Sequence, residues 1–364
     1  MLKVLHYVSK MDRAGQETFI MNLFRKIDQN SIHFDFLCSD SSKGDYDDEI
    51  HSLNGSIICL PPITIKGPLK QFQQFTLLTK TLRKHPCDVF HIHTHHAMDA
   101  FRDALAAKLC GIKTVVVHSH NTSALYHLGA HRVFRKLLDL LPIRRFACSI
   151  AAGEWMFANK KFRVIHNGLD LDTLYYRDEI QNSVREELGW ENKKIIGHVG
   201  RFNEQKNHRF LVDIFSEIHK RDQTTHLVLI GKGELQDEIR RKVDKMGLND
   251  AVTFMDVRDD VQRLYQGMDL LLFPSLFEGL SVVLVEAQAC DLPCLISDSI
   301  SPETILTDKV VSEPLHSTAD VWADKALSIL ENKAPRTDNR TAIQEAGYDI
   351  AFLADRLADI YLGK

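Results

Sequence analysis

The chain has 364 residues, of which 44% are hydrophobic and 26% are charged, and its formal net charge is −4. This composition is typical of a soluble globular protein, and the length suits two domains of ordinary size better than one core. The mildly acidic balance argues against nucleic-acid binding, and no apolar run approaches the roughly 20 residues that cross a bilayer. The seven cysteines are scattered and no signal-peptide pattern is present. We therefore expect a cytoplasmic protein with free thiols.

In the first half, apolar runs alternate with helical periodicity. Strands are predicted at 3–8, 33–39, 56–60, 88–93, 113–118, 146–149 and 162–165. Helices are predicted at 17–27, 67–84, 99–110 and 131–141. This order is typical of an α/β domain with a doubly wound parallel sheet.

The pattern restarts after a polar turn between His166 and Asp178. Strands are predicted at 194–199, 226–230, 252–255, 270–273 and 294–297, and helices at 207–220, 234–246, 261–267, 282–289 and 341–361. We expect a first domain over 1–170 and a second over 171–344, with 345–364 packing back on the first. Two such sheets would bind ligands at their carboxyl edges across one cleft.

The stretch 273–289 (FPSLFEGLSVVLVEAQA) predicts an anion site in the second domain. An apolar strand ends at Pro274, a short loop follows, and Ser281 stands where a helix N-cap should be. Amides at a helix N-terminus attract phosphate. Glu278 in the loop and Glu286 in the helix flank those amides, so this stretch indicates a phosphorylated, hydroxyl-rich ligand.

Positive charge is expected from the loop over 200–207 (GRFNEQKN), which follows a strand. Arg201 as a planar fork and Lys206 as a point charge can reach one anion. Two solvated surface charges are the alternative interpretation. Residues 231–234 (GKGE) are a weaker candidate, because a lone Gly-x-Gly is usually a tight turn.

Together these motifs, in this order and spacing, resemble the GT-B glycosyltransferases of family 4, which are retaining and use nucleotide sugars. Glu278 and Glu286 match the E-x7-E motif of that family. Residues 14–17 (AGQE) resemble its glycine-rich first loop, with Ala14 in place of the commoner glycine. Residues 118–121 (HSHN) and 165–170 (IHNGLD) resemble two further family segments. The resemblance covers essentially the whole chain and implies two Rossmann-like domains.

The resemblance also implies roles for individual residues. The implied donor-binding residues are Gly15, Arg201, Lys206, Val257, Arg258, Glu278, Gly279, Leu280, Ser281 and Glu286. The implied acceptor-side residues are Gln16, His118, His120 and Asn121, and catalytic roles fall to Glu278, His120, Arg201 and Lys206. By resemblance, both cations neutralise the diphosphate, Glu278 contacts the transferred sugar and Glu286 accepts from the ribose hydroxyls. The Gly15 amide is expected to face the phosphates.

The implied activity is transfer of a hexose-type sugar from a nucleotide sugar, commonly a UDP-sugar, to a glycan or lipid-linked acceptor in polysaccharide biosynthesis. The first domain would bind the acceptor and the second the donor. No Asp-x-Asp dyad stands at a predicted strand end, so we expect neither a metal nor another cofactor. The alternatives are a nucleotide-sugar epimerase of similar architecture, a metal-dependent hydrolase and a non-catalytic sugar-nucleotide-binding protein.

Two further segments allow more than one interpretation. Strand alternation predicts that His91, His93 and His95 share one face, either as metal ligands of a hydrolase, as cleft-lining groups or as ordinary packed or surface histidines. The segment 131–145 (HRVFRKLLDLLPIRR) is basic and amphipathic. It is either a core-facing helix with a solvated basic side or a contact with an anionic membrane at the inner face of the cell membrane.

Overall fold

A computed structural model describes residues 1–67, 69–121, 128–278, 280–332 and 334–364. The chain forms two compact units. The first unit comprises Met1–Asp170 together with Gly347–Lys364, and the second comprises Leu171–Ala346.

The first unit is built from alternating strands and helices. Its strands are β1 (Leu2–Val8), β2 (Ile32–Cys38), β3 (Ile57–Cys59), β4 (Val89–Thr94), β5 (Thr114–Ser119), β6 (Arg144–Ala147) and β7 (Arg163–Val164). Its helices are α1 (Gly15–Lys26), α2 (Asp47–Ser52), α3 (Leu69–Lys84), α4 (Ala97–Leu109), α5 (Leu128–Leu138), α6 (Ile150–Phe157) and the C-terminal α14 (Ile350–Leu362).

Within the described residues, these strands form one seven-stranded parallel sheet in the order β3-β2-β1-β4-β5-β6-β7. Two apolar cores cover its two faces. One joins β1 and β2 to α1 and α14 through residues such as Phe19, Phe34 and Leu357, and the other packs α3, α4 and α6 on the opposite face. Because β1, β4 and β5 are central neighbours, the loops at their carboxyl ends lie side by side.

The second unit repeats this architecture. Its strands are β8 (Lys194–Val199), β9 (Thr225–Ile230), β10 (Val252–Met255), β11 (Leu270–Phe273), β12 (Cys294–Ser297) and β13 (Val310–Glu313). Its helices are α7 (Asp178–Leu188), α8 (His208–Arg221), α9 (Gln236–Lys245), α10 (Val261–Gly267), α11 (Val282–Ala289), α12 (Ala319–Glu331) and α13 (Arg340–Glu345). In the part of the chain that the structure describes, the parallel sheet has the order β10-β9-β8-β11-β12-β13.

Several elements differ from the prediction. The strand β13 and the helices α2, α6, α7 and α12 were not predicted. The helix expected over 131–141 begins earlier, at Leu128, and ends at Leu138. The single helix expected over 341–361 is two helices, α13 and α14, because Gly347 has a left-handed φ of +84° between them. Glycine adopts that conformation without a steric penalty, so a helical pattern on both sides does not reveal the break.

Candidate functional site

The loops that follow β8 and β11 form the centre of the candidate site in the second unit. The two strands are neighbours, with Leu270 paired to Ile196, so both loops leave the same carboxyl edge. The Leu276 amide donates to the Gln205 carbonyl at 2.8 Å. The Asn207 side chain donates to the Pro274 carbonyl at 3.0 Å. These bonds hold the loop of residues 200–207 against the loop that precedes Glu278.

Lys206 and Glu278 form a buried ion pair between the two loops. The Lys206 Nζ lies 2.8 Å from Glu278 Oε1, and the side chains are only 13% and 7% exposed. The ammonium also lies 4.6 Å from the centroid of the Phe273 ring. Gln205 Nε2 donates to the other carboxylate oxygen of Glu278 at 3.3 Å and to the Phe277 carbonyl at 3.0 Å. Sequence reasoning named both charged residues and missed Gln205, although it stands beside Lys206.

Arg201 is not part of this buried pair. Its side chain is 73% exposed, and its Nε lies 3.5 Å from Glu234. The shared anion site of Arg201 and Lys206 therefore remains a prediction. Two observations support this prediction. Arg201 lies with Lys206 in the loop that follows β8, and its guanidinium is accessible to a charged ligand.

The Gly-Lys-Gly turn after β9 packs closely against the loop of residues 200–207. A Cβ on Gly231, whose φ is +137°, would lie 2.2 Å from the Gly200 carbonyl oxygen. A Cβ on Gly233 would lie 2.3 Å from the Phe202 carbonyl oxygen. The Phe202 amide donates to the Lys232 carbonyl at 3.0 Å. Both glycines are thus required by backbone contact, which is a structural role.

Glu286 lies in α11, and its side chain is partly buried within the second unit. Tyr265 donates its hydroxyl proton to Glu286 Oε2 at 3.0 Å. Burial raises the pKa of Glu286 to about 7, although the Tyr265 hydrogen bond opposes that shift. The sequence analysis did not identify Tyr265 as a site residue, because a tyrosine in an apolar stretch usually serves to fill the core.

The N-terminus of α11 was predicted in the right place, since α11 begins at Val282 with Ser281 at the N-cap position. The Ser281 side chain does not cap the helix. Its Oγ is buried and has no hydrogen-bond partner among the described residues. A buried hydroxyl of this kind can serve a ligand. Leu280 is half-buried beside it, and Gly279 lies outside the described residues.

Two further residues implied for donor binding, Val257 and Arg258, follow β10. Val257 is 52% exposed. Arg258 donates to both carboxylate oxygens of Asp260 at 2.8 and 2.7 Å. Its guanidinium is therefore already held by a carboxylate, and Val257 is the more accessible of the two residues.

In the first unit, Gly15 opens α1 and Gln16 follows it. The Gln16 side chain donates to Glu17 Oε1 at 3.0 Å. Burial raises the pKa of Glu17 to about 7. Sequence reasoning quoted Glu17 within the AGQE motif and gave it no role. The sequence did offer a signal for Glu17, because this carboxyl group stands two residues after Gly15 in the motif.

The acceptor-side histidines lie in a buried network at the ends of β1, β4 and β5. His6 Nδ1 lies 2.9 Å from His93 Nε2, and His93 Nδ1 lies 2.9 Å from His120 Nε2. A second series of hydrogen-bond contacts runs from the Tyr361 hydroxyl to His91 Nδ1 at 2.6 Å, and from His91 Nε2 to His118 Nδ1 at 3.3 Å.

Burial lowers the pKa values of these imidazoles, to about 3 for His6 and His120 and well below the usual value for His91, His93 and His118. The rings are therefore neutral at physiological pH. Each can donate from one nitrogen and accept at the other. His118 and His120 are brought together as predicted for one strand end, while Asn121 is exposed just beyond them.

The expected histidine face is only partly correct. His91 and His93 stack at 4.2 Å between ring centroids, but His95 is exposed because β4 already ends at Thr94. His96 instead accepts from the Met98 amide at the start of α4. Two groups of three histidines could each hold a metal ion, because one nitrogen of each ring lies within 4.8 Å of the other two. The groups are His6, His91 and His93, and His93, His118 and His120. Both nitrogens of His93 lie within hydrogen-bond distance of neighbouring rings, His6 on one side and His120 on the other.

The basic segment 131–145 divides into buried and exposed parts. His131 and Leu138 face the core, which agrees with the core-facing interpretation. Arg135 donates to the Trp155 carbonyl at 3.2 Å. The exposed side carries Arg132, Lys136 and the apolar Leu128, Val133 and Leu140. Among the described residues, no helix is both long enough and apolar enough to span a membrane.

The sequence models of two protein families match the two halves of the chain. The family described as Glycosyltransferase Family 4 matches residues 13–173. The family described as Glycosyl transferases group 1 matches residues 180–349. The second match contains both loops of the candidate site.

Individual proteins are similar over the whole chain. EpsF of Bacillus subtilis, which is named as a glycosyltransferase, is 33% identical over 99% of this chain and 96% of its own length. An Escherichia coli enzyme, UDP-Gal:alpha-D-GlcNAc-diphosphoundecaprenol alpha-1,3-galactosyltransferase, is 22% identical over 99% of this chain and 97% of its own. The crystal structure of Anabaena Alr3699/HepE in complex with UDP and glucose matches with a TM-score of 0.78 and 18% identity, over 100% of both chains.

Proposed function

Because this chain belongs to the group 1 glycosyltransferases, we propose that it moves a hexose-type sugar from a UDP-sugar to a glycan or lipid-linked acceptor in polysaccharide biosynthesis. The expected family and the expected GT-B fold are confirmed by the family matches and by the likeness to HepE. The chain is accordingly a transferase enzyme. The donor, the acceptor and retention at the anomeric carbon are the proposed parts.

The observation that supports the donor assignment best is the buried Lys206–Glu278 pair at the carboxyl edge of the second sheet. In the proposed complex, Lys206 and the exposed Arg201 neutralise the diphosphate, while Glu278 turns its carboxylate towards the hydroxyls of the transferred sugar. Glu286 accepts from the ribose hydroxyls, with Tyr265 holding one of its oxygens. Backbone amides near Leu280 and Ser281 add a helix N-terminus beside the phosphates.

Two similar proteins favour a UDP-sugar and a lipid-linked acceptor. The name of the Escherichia coli enzyme specifies UDP-galactose and a GlcNAc-diphosphoundecaprenol acceptor. HepE was solved with UDP and glucose. By analogy, we assign UDP as the nucleotide here and a sugar on a diphosphate lipid as the acceptor class.

The proposed reaction needs stabilisation of the leaving diphosphate. As the bond between the anomeric carbon and the phosphate oxygen breaks, the sugar becomes oxocarbenium-like and negative charge grows on the phosphate. Lys206 and Arg201 offset that charge. The acceptor hydroxyl attacks from the same face and gives its proton to the departing phosphate oxygen, so retention follows. His120, a neutral imidazole, is suited to hydrogen-bond the sugar or the acceptor hydroxyl without carrying charge.

No divalent metal or other cofactor is required in this proposal, because cationic side chains and helix amides supply the positive charge. Turnover is expected to persist in EDTA. Loss of turnover in EDTA, restored by added Mg²⁺ or Mn²⁺, would contradict the metal-free part while leaving the transfer reaction intact.

Contact with an anionic membrane at the inner face of the cell is proposed through the exposed side of α5. The helix carries Arg132 and Lys136 together with the exposed Leu128 and Val133, which is the pattern of an interfacial helix. Flotation with vesicles containing phosphatidylglycerol should fall in Arg132→Gln/Lys136→Gln, with the exposed Lys80→Gln/Lys113→Gln as the matched control. Vesicle binding that does not depend on the anionic lipid content would contradict the proposed membrane contact.

A thermal-shift screen over nucleotides and nucleotide sugars tests the central proposal. UDP and one or more UDP-sugars should stabilise the wild-type protein, and Glu286→Ala should weaken the binding of every nucleotide sugar. Released UDP measured with sugar-diphosphate-lipid acceptors then tests transfer. Conversion of the donor to an epimer without acceptor would indicate the epimerase alternative, and donor binding without turnover would indicate a binding protein.

A further inference from the structure

A basic cavity lies at the edge of the first unit, and none of its lining residues is assigned to sugar transfer. Its volume is about 470 Å³. The described lining residues are Ile143, Arg144, Arg145, Phe146, Lys161, Phe162, Arg163, Ile360, Gly363 and Lys364. Five of these ten are cationic, and no described lining residue has a carboxylate side chain.

The sheet places this cavity opposite the acceptor-side loops. Arg144 and Arg163 are the first residues of β6 and β7, so they mark the amino edge of the sheet. Arg144 is paired in register with Val116 on β5. His120 lies four residues further along the chain, which corresponds to about 13 Å at the rise of an extended strand. The arginines of the cavity therefore lie at the opposite edge of the sheet from His120, although Phe146 of the lining also packs against His118 at 5.9 Å between ring centroids.

The cations of the cavity are only partly neutralised. Arg145 Nη2 lies 3.6 Å from Asp139, and Lys364 Nζ lies 3.9 Å from Asp359. The Arg144 guanidinium donates to the Ile360 carbonyl. In the described structure, Lys161 and Arg163 lie within ion-pair distance of no carboxylate, and the buried Nε of Arg145 has no hydrogen-bond partner.

Like charges around a common concavity repel one another, and an anion between them removes that repulsion. Arginine forks match phosphate oxygens in pairs, and lysine adds a point charge. The volume lies within the usual range for small-molecule sites. Ile143, Phe146, Phe162 and Ile360 supply an apolar wall that suits the organic part of a phosphate ester.

We propose that this cavity, formed by Arg144, Arg145, Lys161 and Arg163, binds a phosphate-bearing ligand. The ligand is either a soluble phosphate or diphosphate ester or the headgroup of an anionic phospholipid. Both carry the same chemistry to the cavity, and they differ in whether a membrane is required.

The test compares Lys161→Gln/Arg163→Gln with the control Lys80→Gln/Lys113→Gln. Both variants lose two exposed cations, which limits the risk of misfolding. All titrations use the full chain carrying Arg201→Gln/Lys206→Gln/Glu278→Gln, so that phosphate binding at the donor loops does not contribute and Glu278 is not left buried without its cation. The probes are inorganic phosphate, pyrophosphate and vesicles with or without phosphatidylglycerol. Binding is measured by calorimetry for the soluble probes and by flotation for the vesicles.

We expect saturable binding that weakens about tenfold in the cavity variant and is unchanged in the control, because two charge-assisted hydrogen bonds are lost. Cavity-dependent binding of pyrophosphate in solution would identify a soluble ligand, and cavity-dependent binding of anionic vesicles alone would identify a headgroup. Equal binding by the cavity variant and the control, or no binding of any probe, would overturn the proposal.

Discussion

Lys206 Nζ lies 2.8 Å from Glu278 Oε1, and this contact joins the loops that follow two neighbouring strands of the second sheet. The two residues that we assign to the phosphate and to the sugar are thus each other's partners before any ligand is considered. In this pair, each buried side chain has an oppositely charged partner. A donor would have to share or replace this contact, since both groups already have a partner.

Breaking only one side of this pair should be costly. Lys206→Ala leaves Glu278 buried without its cation, and we expect a loss of about 3 kcal/mol in the free energy of unfolding. Lys206→Gln/Glu278→Gln, which removes both charges, should regain most of that stability without regaining transfer activity. Urea unfolding and UDP-release assays on the three proteins check this. Equal stability of Lys206→Ala and the wild type would contradict a buried pair.

Gly233→Ala should disturb the donor loop through its backbone. The added methyl group would lie 2.3 Å from the Phe202 carbonyl oxygen, so the loop of residues 200–207 must shift. We expect a loss of about 2 kcal/mol in stability and weaker UDP binding. Gly129→Ala is the control, because a Cβ there meets nothing within 4 Å. Unfolding curves and UDP titration compare the two, and unchanged UDP affinity in Gly233→Ala would show that the loop tolerates the shift.

Glu286→Gln should stabilise the protein in a pH-dependent way. Burial raises the pKa of Glu286 from 4.5 to about 7, so between these values the unfolded carboxyl is ionised and the folded one is protonated. The resulting destabilisation is absent below pH 4.5, grows as the pH rises and is complete above pH 7. We expect a gain of about 3 kcal/mol at pH 8 and almost none near pH 4.

The matched control for this prediction is Glu345→Gln, at an exposed carboxylate of the same unit. Denaturant unfolding at pH 4, 6 and 8 separates the two variants. A gain at pH 8 that equals the gain at pH 4 would mean that folding does not raise the pKa of Glu286.

The buried histidine network should make the first unit sensitive to acid. Burial lowers the pKa values of His6 and His120 from 6.5 to about 3, and those of His91, His93 and His118 fall in the same direction. Below pH 6.5 the unfolded chain binds protons that the folded network refuses, so stability is full above that pH and falls as the pH decreases towards the folded values. Each histidine adds a slope of about 1.4 kcal/mol per pH unit.

Thermal unfolding between pH 7.5 and pH 5 measures this dependence. His6→Phe should reduce the slope, whereas His85→Asn, at an exposed histidine, should leave it unchanged. A melting temperature that is the same at both ends of the range would show that the network takes up protons without unfolding.

Local patterns alone were sufficient to place several elements of the second unit. The strands β8, β10, β11 and β12 and the helices α10 and α11 were predicted at their observed bounds. The strands β8, β11 and β12 lie inside the sheet, where a strand is buried along its length, and a continuous apolar run is visible in the chain itself. By contrast, α7 and α12 were missed. Both are surface helices that are stabilised by packing one apolar face against the core. Polar residues on their other side weaken the hydrophobic periodicity from which a helix is predicted.

The sequence by itself determined which chemistry is present: an E-x7-E pair, two cations after a glycine and histidines at strand ends. Only the tertiary structure decided which of these groups meet. It pairs Lys206 directly with Glu278 and adds a hydrogen bond from Gln205 to the same carboxylate. It also exposes Arg201 and gives Glu286 a tyrosine from another helix. It also gathers Arg144, Arg145, Lys161 and Arg163 around one cavity. Such partners come from different strands and loops, and sequence spacing does not record distances between separate elements.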